Sequence, residues 1–256
     1  GVNSNTNTYV SWNWRANGGT TSSNATGDIT STVQADPSGG FSIFTYTGSG
    51  TSGNTVAHGL SQAPTMTIIK QRNSANGWNV WAKGYDNGDY DSFAELNTSG
   101  AWLANQGGSG PYTANPSATL LTLTSYGQVN NSGSTYVGYA FSDTEGYIKS
   151  GSYAGNGSTD GSFIYTGFKP AWFMIKESTN ANNWIVYDGA REPYNVMDSY
   201  LNPDTSGAEE SGSLAEIDFV SNGVKMRTGH VAFSGSGRTY VYLAFAENPF
   251  KYATAR

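Results

Sequence analysis

Residues 63–82, APTMTIIKQRNSANGWNVWA, and residues 169–188, KPAWFMIKESTNANNWIVYD, are two versions of one passage. Pro64 answers Pro170, Lys70 answers Lys176, Asn76 answers Asn182 and Trp78 answers Trp184, always 106 residues apart and with no gap. Each version has a short apolar run after a proline, TMTII or AWFMI, as expected for a strand buried in a sandwich. The chain is therefore read as β and as duplicated.

Outward from that passage the duplication continues. YTGSGTSG from Tyr46 is answered by YAGNGSTDG from Tyr153, ELN ending at Asn97 by YLN ending at Asn202, and TYVGYAF at residues 135–141 by TYVYLAF at residues 239–245. In these closing strings Val137, Tyr139 and Phe141, and likewise Val241, Leu243 and Phe245, share one face under the two-residue period of a strand. Gly, Ser, Asn and Thr clusters between the runs supply turns. The only helix-tolerant acidic stretch, SGAEESGSLAEID, is interrupted by Gly212.

These patterns predict an all-β chain of two duplicated antiparallel β-sandwich units of jelly-roll or concanavalin-like type, at residues 40–145 and 146–256. Residues 1–39 are expected to form a leading strand and a polar linker. A third version of the closing string, TYVSWNW at residues 8–14, stands 127 residues before the second, which begins at Thr135. It reads as the last strand of a preceding unit or as a strand completing the first unit's sheet, and so as the mark of a modular array.

Composition narrows the chemistry. Of 256 residues only 12% are charged, the formal net charge is −6, and the 13 Lys and Arg form no run, which argues against a phosphate-backbone or anionic-membrane partner. No window of about 18 apolar residues suggests a membrane-inserted helix. Cysteine is absent, so disulfides, thiolate metal sites and cysteine nucleophiles are excluded. A cysteine-free chain rich in Gly and Tyr fits a bacterial surface or a virus particle better than a small secreted eukaryotic domain.

No catalytic constellation emerges. His58 and His230 have no His, Cys or carboxylate at ligand spacing, and no G-x-S-x-G elbow is present. Glu216 and Asp218 in AEIDFV alternate as the carboxylates of retaining glycosidases do. The positions where such enzymes carry a further carboxylate hold Val220 and Ser221, so the pair is read as the acidic edge of a strand. Asp86, Asp89 and Asp91 in YDNGDYD resemble an oxygen-rich calcium loop without its full pattern, and are read as a solvated hairpin loop, with calcium the one cofactor suggested.

Aromatics carry the remaining signal. Trp78 and Trp184 hold equivalent strand positions and read as core anchors. Trp102, Tyr85, Tyr90, Tyr112 and Tyr194 lie in predicted loops, where rings stack on sugar C–H groups while neighbouring amides and carboxylates such as Asp86 and Asp89 bind hydroxyls. Trp102, Tyr85, Tyr90, Asp86, Asp89 and Tyr194 are thus the candidate glycan-binding residues.

The succession GFSIFTYTGSGTSGNTVAHGLSQAPTMTIIKQR, STYVGYAFSDTEGYIKSGSYAGNGSTDGSFIYTGFKPAWFMIK, WIVYDGAREPYNVMDSYL and DFVSNGVKMRT resembles a repeated module of structural proteins of tailed phages, especially those of marine cyanobacteria and other aquatic bacteria. The resemblance covers nearly the whole chain and brings no catalytic residue. It implies a non-enzymatic virion protein of tail-fibre, appendage or capsid-decoration type, on the particle exterior. Its expected partners are further copies of itself, other virion proteins and a host-surface glycan. A free lectin-like carbohydrate-binding module, a glycosidase using Glu216 and Asp218, and a bacterial extracellular filament protein are the alternatives.

Overall fold

The computed structural model describes residues 4–16, 19–83, 85, 90–103 and 107–249. Its strands are β1 (Ser22–Asn24), β2 (Ser31–Asp36), β3 (Phe41–Thr47), β4 (Thr55–Ala57), β5 (Met66–Gln71), β6 (Trp78–Ala82), β7 (Ala94–Glu95), β8 (Leu120–Thr122) and β9 (Thr135–Phe141) in the first half. A single helical turn, α1 (Gly127–Asn130), precedes β9. The second half holds β10 (Ile148–Ala154), β11 (Phe163–Tyr165), β12 (Pro170–Glu177), β13 (Trp184–Asp188), β14 (Ser199–Tyr200), β15 (Glu210–Ser211), β16 (Ile217–Val220), β17 (Gly223–Met226) and β18 (Thr239–Ala246). The protein is all-β, and its ladders are antiparallel, as the sequence predicts.

The repeat is visible in the pairing. The first large sheet has the order β1-β2-β3-β9-β5-β6-β7 and the second β10-β18-β12-β13, so β3-β9-β5-β6 is matched strand for strand. Even the register agrees: Lys70 pairs with Trp78 and with Val137, as Lys176 pairs with Trp184 and with Val241.

In each sheet the central strand is apolar on both faces. Tyr136 and Ala140 of β9 face one cluster while Phe141 and Tyr139 face another; Tyr240, Tyr242, Ala244 and Ala246 of β18 alternate with Val241, Leu243 and Phe245 in the same way. A sheet apolar on both faces needs a layer on each side. On its outer side the first sheet is covered by the β4-β8 ladder and α1, around Phe44, Ile69, Trp81, Leu121 and Val129. The second is covered by β11-β17-β16, around Phe173, Ile185, Ile217, Phe219 and Val224.

The inner faces of the two large sheets cover one another. Phe41, Met66, Val80, Phe141, Trp172, Met174, Trp184, Val241, Leu243 and Phe245 form one buried cluster drawn from both halves. Phe141 and Phe245, equivalent residues of the two central strands, meet with ring centroids 5.9 Å apart in an edge-to-face arrangement. The molecule is thus four layers deep, cover, sheet, sheet, cover, with three apolar cores between them.

Two expectations for residues 1–39 are corrected. The stretch read as linker carries β1 and β2, which extend the first sheet beyond β3. Val33 is the only large apolar side chain in STVQAD, so its alternation was hidden among Ser and Thr; Ser31 and Val33 are buried and Thr32 is exposed. Conversely, TYVSWNW forms no ladder among the described residues. In the alignment with β9, Ser11 and Asn13 would occupy the face where β9 has Gly138 and Ala140, towards the first cover. That face is crowded as well: a Cβ on Gly138 would lie 2.2 Å from the Phe44 ring. Ser11 could not take the Gly138 place without displacing that ring, and it is the Trp12 and Trp14 side of the string that finds an apolar partner.

A tyrosine latch is built twice. Tyr46 and Tyr136 stack at 5.0 Å, and their hydroxyls donate to the carbonyls of Val129 (2.6 Å) and Gly127 (2.8 Å). Tyr153 and Tyr240 stack at 4.9 Å and donate to Phe233 (2.6 Å) and Val231 (2.6 Å). Each latch pins the turn before the closing strand to the sheet, and burial raises the ionisation of Tyr46 and Tyr153 well above the usual phenol range. Because each hydroxyl satisfies a buried carbonyl, Tyr46→Phe and Tyr153→Phe should each lower stability by about 1–2 kcal/mol, with near-equal effects, as read from urea unfolding.

Candidate functional site

Three parts of the chain converge on the seam between the large sheets. Trp12 and Trp14 stand on the same side of the leading segment and pack on the second half: Trp14 lies 5.4 Å from Trp172 and 5.1 Å from Phe245, and Trp12 lies 6.2 Å from Trp172. From the first half, Trp102 and Tyr85 reach across. The Trp102 N–H (3.2 Å) and the Tyr85 hydroxyl (3.2 Å) both donate to the carbonyl of Ser178, and Trp184 Nε1 donates back to the carbonyl of Glu95 at 2.9 Å.

Where these walls stop short of closing, a cleft of about 330 Å³ remains. Trp12, Trp14, Trp78, Tyr139, Trp172 and Phe245 are among its lining residues, with Leu96 and Pro203 beside them. Among the described residues Tyr139 is its one titratable wall residue, so those residues can hold an apolar group there but offer no acid, base or nucleophile pair.

The residues singled out from sequence fall into separate places. Trp102 is buried, in van der Waals reach of Tyr85 (4.9 Å) and Trp184 (6.4 Å), so its ring face is spent on the seam and not offered to solvent. Tyr90 is 40% exposed and Tyr194 81% exposed; Tyr194 lies in the loop after β13, the counterpart of the loop after β6 that holds Tyr85 and Tyr90. Tyr112 is fully buried, with its hydroxyl 2.5 Å from Thr67 Oγ1. Asp86 and Asp89 lie outside the described residues. Asp91 is buried, and its carboxylate accepts from the Gly108 N–H at 3.4 Å. Among the described residues no group of three His, Asp or Glu is placed to hold a metal ion.

Of the paired carboxylates, Asp218 is buried on β16, where the Arg227 guanidinium holds it through Nε (2.6 Å) and Nη2 (2.5 Å). Glu216 precedes β16, and its carbonyl accepts from the Arg227 N–H. Arg227 thus ties both residues to the neighbouring strand.

Sequence reading passed over one polar centre, around Lys176 and Glu177. Glu177, buried, accepts from Asn180 (N–H 3.1 Å, Nδ2 2.8 Å), from Asn182 and from Arg238 Nη1 (2.9 Å). Lys176, also buried, donates to the carbonyls of Glu177 (3.0 Å) and Asn182 (2.8 Å), and burial lowers its ammonium to about 8. Both clamp the β12–β13 turn. The Lys-x5-Asn-x-Trp spacing shared by Lys70, Asn76 and Trp78 and by Lys176, Asn182 and Trp184 was the available signal.

His58, read from sequence as belonging to no ligand set, is a further polar centre. It is fully buried, its Nδ1 accepts from the Leu60 N–H (3.2 Å) and its Nε2 faces the Ser117 carbonyl at 3.3 Å, so the neutral imidazole fits as a structural link. Burial pushes it down to about 4.

Residues 1–249 match the family model described as "Domain of unknown function (DUF7483)", and the chain belongs to that family. No curated protein and no solved structure matches it.

The histidine sets a pH dependence. With the folded value near 4 and the unfolded value near 6.5, the unfolded chain binds the extra proton in between, so this contribution is complete above pH 6.5 and is lost as pH falls towards 4. At about 1.4 kcal/mol per unit the loss amounts to about 3 kcal/mol. Urea unfolding at pH 7.5 and 4.5 should show it, and His58→Gln should flatten the difference by about that amount.

Proposed function

We propose that this member of the DUF7483 family is a non-enzymatic structural module of the exterior of a tailed-phage particle, in a tail fibre, an appendage or a capsid decoration, contributing to host-surface attachment. The observation that carries this reading is the seam: the two repeats share one aromatic core instead of meeting through a polar, hinged boundary. Repeats joined by a small polar interface move relative to one another, whereas a large apolar interface fixes them. A part that projects from a particle and meets a cell surface has to transmit force without bending. The indoles of Trp12, Trp14, Trp102, Trp172 and Trp184 all serve that purpose here. The resemblance to phage structural modules supports the same reading.

A second reading, a carbohydrate-binding module, is favoured by one feature: Tyr194 presents its ring to solvent at 81% exposure. An exposed ring of this kind can stack on a sugar face.

Mass spectrometry of purified, nuclease-treated phage particles should find the protein in the virion, and light scattering on the purified chain should give a stable oligomer with no glycosidase turnover. Absence from the particle would overturn the proposal. A monomer that binds one sugar class tightly on a glycan array, and loses it with Tyr194→Ala, would replace it with the lectin reading.

A further inference from the structure

The two repeats differ in how the edge of their outer cover is finished, and the first repeat supplies the template for what completes the second. In the first repeat the edge of β4 is sealed by the segment Gly27–Ser31. The Ile29 N–H donates to the Thr55 carbonyl (2.9 Å), the Thr55 N–H donates to the Asp28 carboxylate (2.9 Å), and Ser31 Oγ donates to the Ala57 carbonyl (2.7 Å). Ile29 and Val56 form a parallel bridge, and the Ile29 side chain is buried in the first cover. Gly27 lets the segment lie close: a Cβ there would stand 2.6 Å from the Thr55 carbonyl oxygen.

The counterpart of β4 is β11, with Phe163, Ile164 and Tyr165 answering Thr55, Val56 and Ala57; each strand pairs with its cover neighbour in the same way. The ladder to β17 runs through Ser162 and Thr166 on either side of Ile164, so the N–H and C=O groups of Phe163 and Tyr165 point away from it. They find no partner among the described residues. The side chains differ too: Phe163 is 47% and Tyr165 64% exposed, where Ala57 is buried. The residues that would correspond to Gly27–Ser31, at the same distance before β10, run into β9, which is committed to the first large sheet.

We infer that the β11 edge is a docking site for an extended segment of another polypeptide, one that presents an acidic residue followed by a β-branched apolar residue, as Asp28-Ile29 does. Charge complementarity supports this occupant. Lys225 of β17 lies directly across from Phe163, at the place where Thr122 faces Thr55; its ammonium donates to the Gly161 carbonyl (2.5 Å), Asp218 across from it on β16 is held by Arg227, and its ion-pair partner among the described residues, Asp160, is 87% exposed and holds it weakly. An arriving carboxylate would bond the Phe163 N–H beside that ammonium, while the next residue's N–H donates to the Phe163 carbonyl. Strand addition of this kind takes its affinity from main-chain hydrogen bonds and its selectivity from the side chains alongside. This inference is independent of where the protein resides.

The test uses the full chain and a synthetic peptide with the sequence of residues 26–33, TGDITSTV. Amide resonances are followed by NMR as the peptide is added to about 1 mM, the range suited to a segment offering about three hydrogen bonds. Resonance shifts and slowed hydrogen exchange at Phe163 and Tyr165 are expected. A peptide in which Asn replaces the aspartate, and the protein variant Lys225→Gln, should each bind several-fold more weakly. Phe163→Pro removes the outward N–H without touching the β17 ladder and should weaken binding at least about tenfold. No shift at β11, shifts confined to Thr55–Ala57, or undiminished binding by Phe163→Pro would each overturn the assignment. Concentration-dependent shifts at β11 in the absence of peptide would overturn it in favour of a second copy of the chain.

Discussion

The structure depends on one constraint: β9 and β18, the central strands of the two large sheets, carry apolar side chains on both faces. One face of each is met by a cover built from its own repeat. The other is not covered from within the repeat, because among the described residues each repeat supplies one cover. Each large sheet therefore becomes the other's covering layer, and Phe141 meets its own equivalent, Phe245, at the centre. Contact between equivalent residues is the signature of a two-fold interface, here formed within a single chain. The duplication thus supplies the second layer that either repeat lacks.

Around that seam the repeats have diverged where the chain enters them. The first sheet gains β1 and β2 from the leading segment, and the first cover gains the Asp28–Ser31 seal. The second repeat begins directly from β9 through the loop at Asp143, whose carboxylate accepts the Ser150 N–H (2.9 Å) and so blunts the β10 edge with a side chain. Its cover edge at β11 has no such device among the described residues. What the second repeat receives instead is Trp12 and Trp14, set on Trp172 and Phe245. One leading segment of the chain therefore serves both repeats.

The sequence made the fold class legible because the signal was doubled: Lys70 and Lys176, Trp78 and Trp184, and the closing strings at Thr135 and Thr239 fix the same strands twice. It was less clear where a strand's evidence is one residue deep, as with Val33 in β2. It misled where similarity of letters hid a difference of faces, as Ser11 and Asn13 show in TYVSWNW. Among candidate site residues, Trp102 stands in an irregular loop with no counterpart. Nothing in its neighbours distinguishes a ring offered to solvent from one folded onto Trp184. Phe163 and Tyr165, two apart around a buried Ile164, carried the exposed-edge signal, but only the comparison of covered β4 with open β11 gives that alternation a meaning.

If the shared seam is what holds the molecule together, the two repeats cannot open separately. Native-state hydrogen exchange at the amides of Ala140 in β9 and Ala244 in β18, measured across a denaturant series, reads the opening free energy of each central strand. The account predicts that the two converge on one global value, and that Met174→Ala, which empties seam volume contributed by the second repeat alone, lowers both by the same amount, about 2–5 kcal/mol. Two different opening free energies, with only the Ala244 value lowered by the substitution, would contradict it.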